Sequence, residues 1–130
     1  MPFDWAEYLA LAEWLRANAG TNALPGDAAA ALRSSVSRSY YAAFHASMAL
    51  LVTRNEYTPL STGEDHRGVL GLFLRDKLNR QPRIQIGTWL QRLKARRSEA
   101  DYDRTVAVDA NVATACVRDA RQIMQYLARQ

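Results

Sequence analysis

The stretch from Asp27 to Asn55 contains neither glycine nor proline and never alternates with period two, which leaves a long α-helix as its conformation. The rest of the chain follows the same logic, with amphipathic segments separated by short turns. The spacing predicts five helices. The first runs from about Phe3 to Ala19 and stops at Gly20. Asp27 is the N-cap of the second, which continues to about Asn55. Ser61-Thr62-Gly63-Glu64 has the form of a capping box, so the third starts there and runs to about Asn79. The fourth covers Ile84 to Asp101 beyond Pro82, and the fifth Ala110 to Ala128 with Asp109 as its cap. Short connections between such helices predict an all-α, antiparallel up-and-down bundle. With no repeat or linker in 130 residues, the expectation is a single domain over residues 1–130.

The second helix has two faces that look buried. With Arg38 at zero degrees and 100 degrees per residue, Leu32, Val36, Tyr40, Ala43, Phe44, Ser47, Leu50 and Leu51 gather opposite it and form a core side. A solvated reverse side should be charged. Instead it reads Ala31, Ser34, Arg38, Tyr41, Ala42, His45, Ala49 and Val52, with one charge among small and aromatic residues. Either the helix is central in its own bundle or a second copy of the chain covers this side. A homodimer through helix two is the expectation, since two-fold dimers are the commonest oligomers.

Charge narrows the partners. Between Arg75 and Arg104 nine basic residues face four acids, a local +5 within a net charge of +4, so the remainder sums to −1. Such a stripe attracts a phosphate backbone, or is simply a solvated helix face. No apolar run approaches the about 18 residues needed to span a bilayer, and the start of the chain lacks a signal peptide's basic residues. A lone cysteine, Cys116, forms no internal disulfide and reads as a core residue. These features point to a cytoplasmic protein with no membrane partner.

Arg38, Tyr41 and His45 lie in a line on the second face of helix two. An imidazole beside a guanidinium suits phosphodiester chemistry: histidine can move the proton of a ribose 2′-hydroxyl, and arginine can stabilise charge on phosphorane oxygens. The same spacing fits a buried histidine bonded to Tyr41. Arg97 continues the inward line of Ile86, Leu90 and Leu93, where Asp101 can pair with it and Tyr102 follows. It either anchors the end of helix four or faces a phosphate. His66 reads as a helix-start or packing residue. No metal-ligand spacing, glycine-rich phosphate loop or nucleophile elbow is present, so neither metal nor cofactor is expected.

The segments Ser37-Arg38-Ser39-Tyr40-Tyr41-Ala42-Ala43-Phe44-His45-Ala46, His66-Arg67-Gly68-Val69 and Leu93-x-x-x-Arg97-Ser98-Glu99-Ala100-Asp101-Tyr102-Asp103 together resemble the HEPN domain family. The likeness is to its small single-domain prokaryotic branch and extends from Ala28 to the C-terminal helix. It implies a helical bundle, a dimer whose subunits share a cleft, and RNA or a nucleotide as ligand. Many relatives are metal-independent endoribonucleases, often toxins paired with a minimal nucleotidyltransferase antitoxin that in some cases adds AMP to a tyrosine near the site. Catalytic relatives carry an arginine and, after four to six residues, a histidine. Here Tyr102 stands where that histidine would follow Arg97. Arg38 and His45 satisfy the same spacing on helix two, and His45 could meet Arg97 in space. The resemblance therefore implies His45, Arg38 and Arg97 as catalytic candidates. Arg38, Tyr41, Arg97, Asp101 and Tyr102 are the candidates for RNA or nucleotide binding. The alternative is a non-catalytic dimeric module that works through the nucleotidyltransferase.

Overall fold

A computed structural model of the chain describes residues 3–130. Its helices are α1 (Ala6–Asn18), α2 (Ala28–Thr53), α3 (Glu64–Leu74), α4 (Gln81–Tyr102) and α5 (Ala110–Leu127). Among the described residues there is no strand, only a bridge between Ala19 and Leu24. The protein is the all-α helical bundle that the periodicity predicts.

α2 is its centre and packs against all four other helices. The core side read from the sequence is buried: Val36, Tyr40, Ala43, Phe44 and Leu51 meet Phe73 of α3, Ile86, Leu90 and Leu93 of α4, and Ala120 and Ile123 of α5. Much of its reverse side is covered by α1. Ala31 and Ala42 are buried, Ser35 donates to the Ala12 carbonyl at 2.6 Å, and Trp5 and Tyr8 lie over His45 and Arg38. Small residues there admit a helix of the same chain. Ser34, Arg38, Ala49 and Val52 stay exposed.

The N-caps Asp27 and Asp109 are as expected, accepting from the Ala29 and Val112 amides at 2.9 Å each. The third helix departs from expectation at both ends. Ser61 lies in the left-handed region (φ 57°), so it cannot serve as the cap of a box. Asp65 takes the Leu60 and Ser61 amides instead, at 2.8 and 3.0 Å. At the far end α3 stops at Leu74 because Asp76 accepts from both the Arg80 amide (2.8 Å) and its guanidinium (2.7 and 2.9 Å), closing a tight turn. Pro82 falls inside the first turn of α4, where its missing N–H costs nothing.

The C-terminus of α4 is held by a residue distant in sequence. Arg33 of α2 donates to the carbonyls of Glu99, Ala100 and Asp103 at 2.9–3.1 Å and also to Val106. Carbonyls that end a helix have no intrahelical donor, and a cation there also opposes the negative end of the helix dipole. This contact fixes the last turn of α4, which carries Arg97, Asp101 and Tyr102.

Candidate functional site

Arg97 lies where α2 and α4 face each other. Its side chain is 11% exposed, and its guanidinium carbon sits over three tyrosine rings: Tyr41 at 5.3 Å, Tyr40 at 5.5 Å and Tyr102 at 5.6 Å. Aromatic faces stabilise a cation, but they do not neutralise it. Asp101, one turn on, is the nearest carboxylate at 3.7 Å and is itself held by the Ser37 hydroxyl at 3.2 Å. Arg97 donates to the Tyr102 hydroxyl at 3.4 Å, a long bond, and its buried Nε has no partner. A guanidinium enclosed with its hydrogen-bonding capacity largely unused is suited to an anion with several oxygens.

Two imidazoles flank this cage. His45 of α2 lies beyond Tyr41, with ring centroids 6.1 Å apart, and stacks on Trp5, the residue before α1, at 3.9 Å and 14°. Burial lowers its pKa below the ordinary histidine value, so the ring is neutral near pH 7 and able to accept a proton. His66 of α3 stacks on Phe44 at 4.2 Å, and its Nδ1 is 2.5 Å from the Tyr40 hydroxyl. Its pKa is lowered too, first by burial and then by the charges of Arg97 and Lys94. Burial holds the Tyr40 phenol well above its usual value, although Arg97 acts in the opposite direction.

The loop before α3 explains how His66 is presented. The Tyr57 hydroxyl donates to Asp65 at 2.5 Å, which together with the two loop amides holds that carboxylate below its usual range. Tyr57 reaches Asp65 by crossing Gly68, where an added Cβ would lie 2.9 Å from the phenol oxygen. Gly68 therefore makes room for the side chain that anchors the residue before His66.

Tyr41, Arg97, Asp101 and Tyr102 thus come together, with His45 one ring away. Arg38 is not in the cage; it is exposed, with its guanidinium 5.0 Å from the Tyr8 ring. His66, which the sequence marks as a helix-start or packing residue, stacks on Phe44 and meets the Tyr40 hydroxyl at the edge of the cluster. Its contact with Tyr40 spans 26 residues, so no local spacing signals it. Most of the basic stripe is engaged within the chain. Arg80 pairs with Asp76, Arg83 with Glu56, Arg92 with Asp119 and Arg96 with Glu99. Arg75, Lys77, Lys94 and Arg104 have no ion pair among the described residues. No helix among those residues is long and apolar enough to cross a membrane.

A bundle whose cage is built from a Ser-Arg-x-Tyr-Tyr-x-x-Phe-His helix and an Arg-x-x-Ala-Asp-Tyr helix has the architecture of a HEPN domain. The HEPN domain family model matches residues 28–130, and the chain belongs to that family. Membership associates it, in general terms, with RNA- or nucleotide-related function. No curated protein and no solved structure matches the chain. Trp5 and α1 lie outside the matched residues, so the cover over His45 comes from a segment the family match does not include.

Proposed function

We propose that this HEPN protein handles RNA and cleaves it without a metal, as the toxin of a pair whose antitoxin is a minimal nucleotidyltransferase. His45 takes the proton of a ribose 2′-hydroxyl. The freed oxygen attacks the adjacent phosphorus, the bond to the 5′-oxygen breaks, and that oxygen leaves with a proton taken from solvent water while a 2′,3′-cyclic phosphate forms; His45 then returns its proton to solvent. Arg97 binds the phosphate and stabilises the charge on the phosphorane, and Arg38 guides the strand beside it. The working unit is a homodimer, which allows two such clusters to share a cleft.

The observation that carries this reading is the Arg97 guanidinium. It is enclosed by tyrosines, only loosely paired with Asp101, and separated by the Tyr41 ring from an imidazole that burial keeps neutral. The direct test is incubation of purified protein with mixed RNAs in chelator. Cleavage is expected for the wild type and lost in His45→Ala and Arg97→Ala that keep the wild-type helical spectrum. Intact RNA with the wild-type protein would reject the nuclease.

Tyr102 favours a second reading. It is 78% exposed, lies against Arg97, and occupies the position of the histidine in catalytic relatives. An exposed ring beside a guanidinium can stack a base while the cation holds its phosphate. The protein would then be a non-catalytic RNA- or nucleotide-binding module acting through the nucleotidyltransferase, and the same assay would show binding without cleavage.

A further inference from the structure

His66 has no part in the scheme above, yet it is firmly fixed against Tyr40, one of the rings over which Arg97 sits. Its ring lies nearly parallel to those of Phe44 (15°) and Tyr40 (19°), and the Tyr40 hydroxyl meets Nδ1. Tyr40 is 2% exposed and stays protonated, and a buried O–H requires an acceptor. Nδ1 is its sole partner among the described residues. Tyr40 therefore donates and Nδ1 accepts. A neutral imidazole whose Nδ1 lone pair is occupied carries its proton on Nε2. Among the described residues Nε2 has no partner, and it is not among their sealed, unpartnered polar atoms, which are Ser39 Oγ, Ser47 Oγ, Arg83 Nε and Arg97 Nε.

The groups around the ring make the position receptive to an anion. α2 presents Tyr40, Tyr41, Phe44 and His45, and α4 presents Lys94 and Arg97. On α3 itself, the one nearby carboxylate, Asp65, is taken up by Tyr57 and two loop amides. Lys94 has no ion pair among the described residues and, with Tyr40, Phe44, Leu70 and Leu90, lines the narrow crevice beside His66.

We infer that His66 is a ligand-binding residue, whose Nε2–H completes with Arg97 and Lys94 a subsite for a phosphoryl group, and that Tyr40 is the positioning residue that fixes its tautomer. This rests on the reading of the cage as a phosphate site, and it adds a donor from α3 to those of α4. A phosphate seated there relieves the repulsion of the two cations, so binding raises the His66 pKa. By linkage, phosphate binds more tightly as pH falls from the bound-state pKa towards the free-state one. Tyr40 opposes protonation, because an imidazolium needs Nδ1 as a donor.

Nitrogen-15 NMR of the histidines in the full chain, titrated with inorganic phosphate, tests the inference. The expected wild-type signature is a protonated Nε2 and a bare Nδ1, with phosphate moving Nε2 and raising the pKa. Tyr40→Phe should mix the tautomers and raise the pKa of the free protein. His66→Ala should weaken phosphate binding about tenfold, the loss of one charge-assisted hydrogen bond, and His66→Gln, which keeps an amide donor near the ε position, should recover part of it. A wild-type ring protonated at Nδ1, or one that phosphate leaves unmoved, overturns the subsite. If the wild type cuts no RNA while these signals behave as expected, the nuclease reading fails and the subsite stands. If RNA is cut in an Arg97-dependent way while phosphate leaves His66 unmoved, the reverse holds.

Discussion

Trp5 decides how His45 titrates. Its indole covers the imidazole at 3.9 Å, and burial is what lowers the pKa of that ring. Trp5→Ala should therefore move the His45 pKa upwards, towards the ordinary value of about 6.5. For a group acting as base, the acidic limb of the pH–cleavage profile should shift to higher pH by the same amount; a profile unmoved while NMR shows the pKa rising would remove His45 from the role of base. The sign for stability follows from the same burial. His45 and His66 both have lowered folded pKa values, so the unfolded chain takes up protons first as pH falls. Their contribution is complete above about 6.5 and is lost as pH falls from there through the folded values. Unfolding midpoints in urea should thus fall between pH 7.5 and 5, and His66→Gln should flatten part of that slope. At this scale the sequence was informative where chemistry is carried by spacing. The line of Arg38, Tyr41 and His45 and the inward path to Arg97 are helical periodicities, and both were legible. The Tyr40–His66 bond and the stacking of Trp5 on His45 arise from packing between helices, which periodicity does not encode.

At the level of elements, Gly87 and Arg33 set where the site-bearing helices lie. A Cβ at Gly87 would be 2.7 Å from the Leu74 backbone nitrogen, so α3 and α4 meet there with no room to yield. Gly87→Ala should cost about 1–3 kcal/mol through displaced backbone, read as a lower urea midpoint. Because α3 carries His66 and α4 carries Arg97, phosphate affinity should fall with it. Arg33→Met strips the donor from the Glu99, Ala100 and Asp103 carbonyls at the end of α4 and from Val106 in the loop beyond, with an expected loss of about 2–3 kcal/mol. Neither role was visible in the sequence, because both depend on residues 13 or more positions away. Element termini were legible only where a single candidate was present. Asp27 and Asp109 stand alone before their helices, whereas before α3 Thr62 accepts the Glu64 amide at 3.2 Å and Asp65 takes the Leu60 and Ser61 amides, leaving Ser61 no capping role. The Asp76–Arg80 turn that shortens α3 carries its own pH signature. Asp76 has a pKa of about 2, held there chiefly by its bond with Arg80. Its contribution should be intact above the unfolded value near 3.8 and disappear as pH falls through about 2, a step absent from Asp76→Asn.

At the scale of the whole molecule, the reverse side of α2 determines what assembly can form. Its composition predicts a partner surface, and α1 accounts for a good part of that composition within one chain. The C-terminal end of the helix stays open. Ala49 lines an apolar groove with Phe3, Trp5, Leu50, Met124 and Leu127, a cavity of about 490 Å³, and Val52 beside it is exposed. Exposed apolar surface of this kind is costly in water, and a second copy offers the same groove across a two-fold axis. The proposed dimer through helix two is therefore expected to use this end. Light scattering should give twice the chain mass, unchanged in 1 M salt, since burial of apolar surface is not screened as charge pairs are. Ala49→Glu places a carboxylate in the groove and should reduce the mass to one chain. Cleavage and phosphate binding measured on that same sample then separate two designs. If the cleft is shared, both are lost with the dimer. If each Arg97 cage is complete in itself, phosphate binding persists in the monomer, and a single-chain mass for the wild type would leave the cage of one subunit as the whole site.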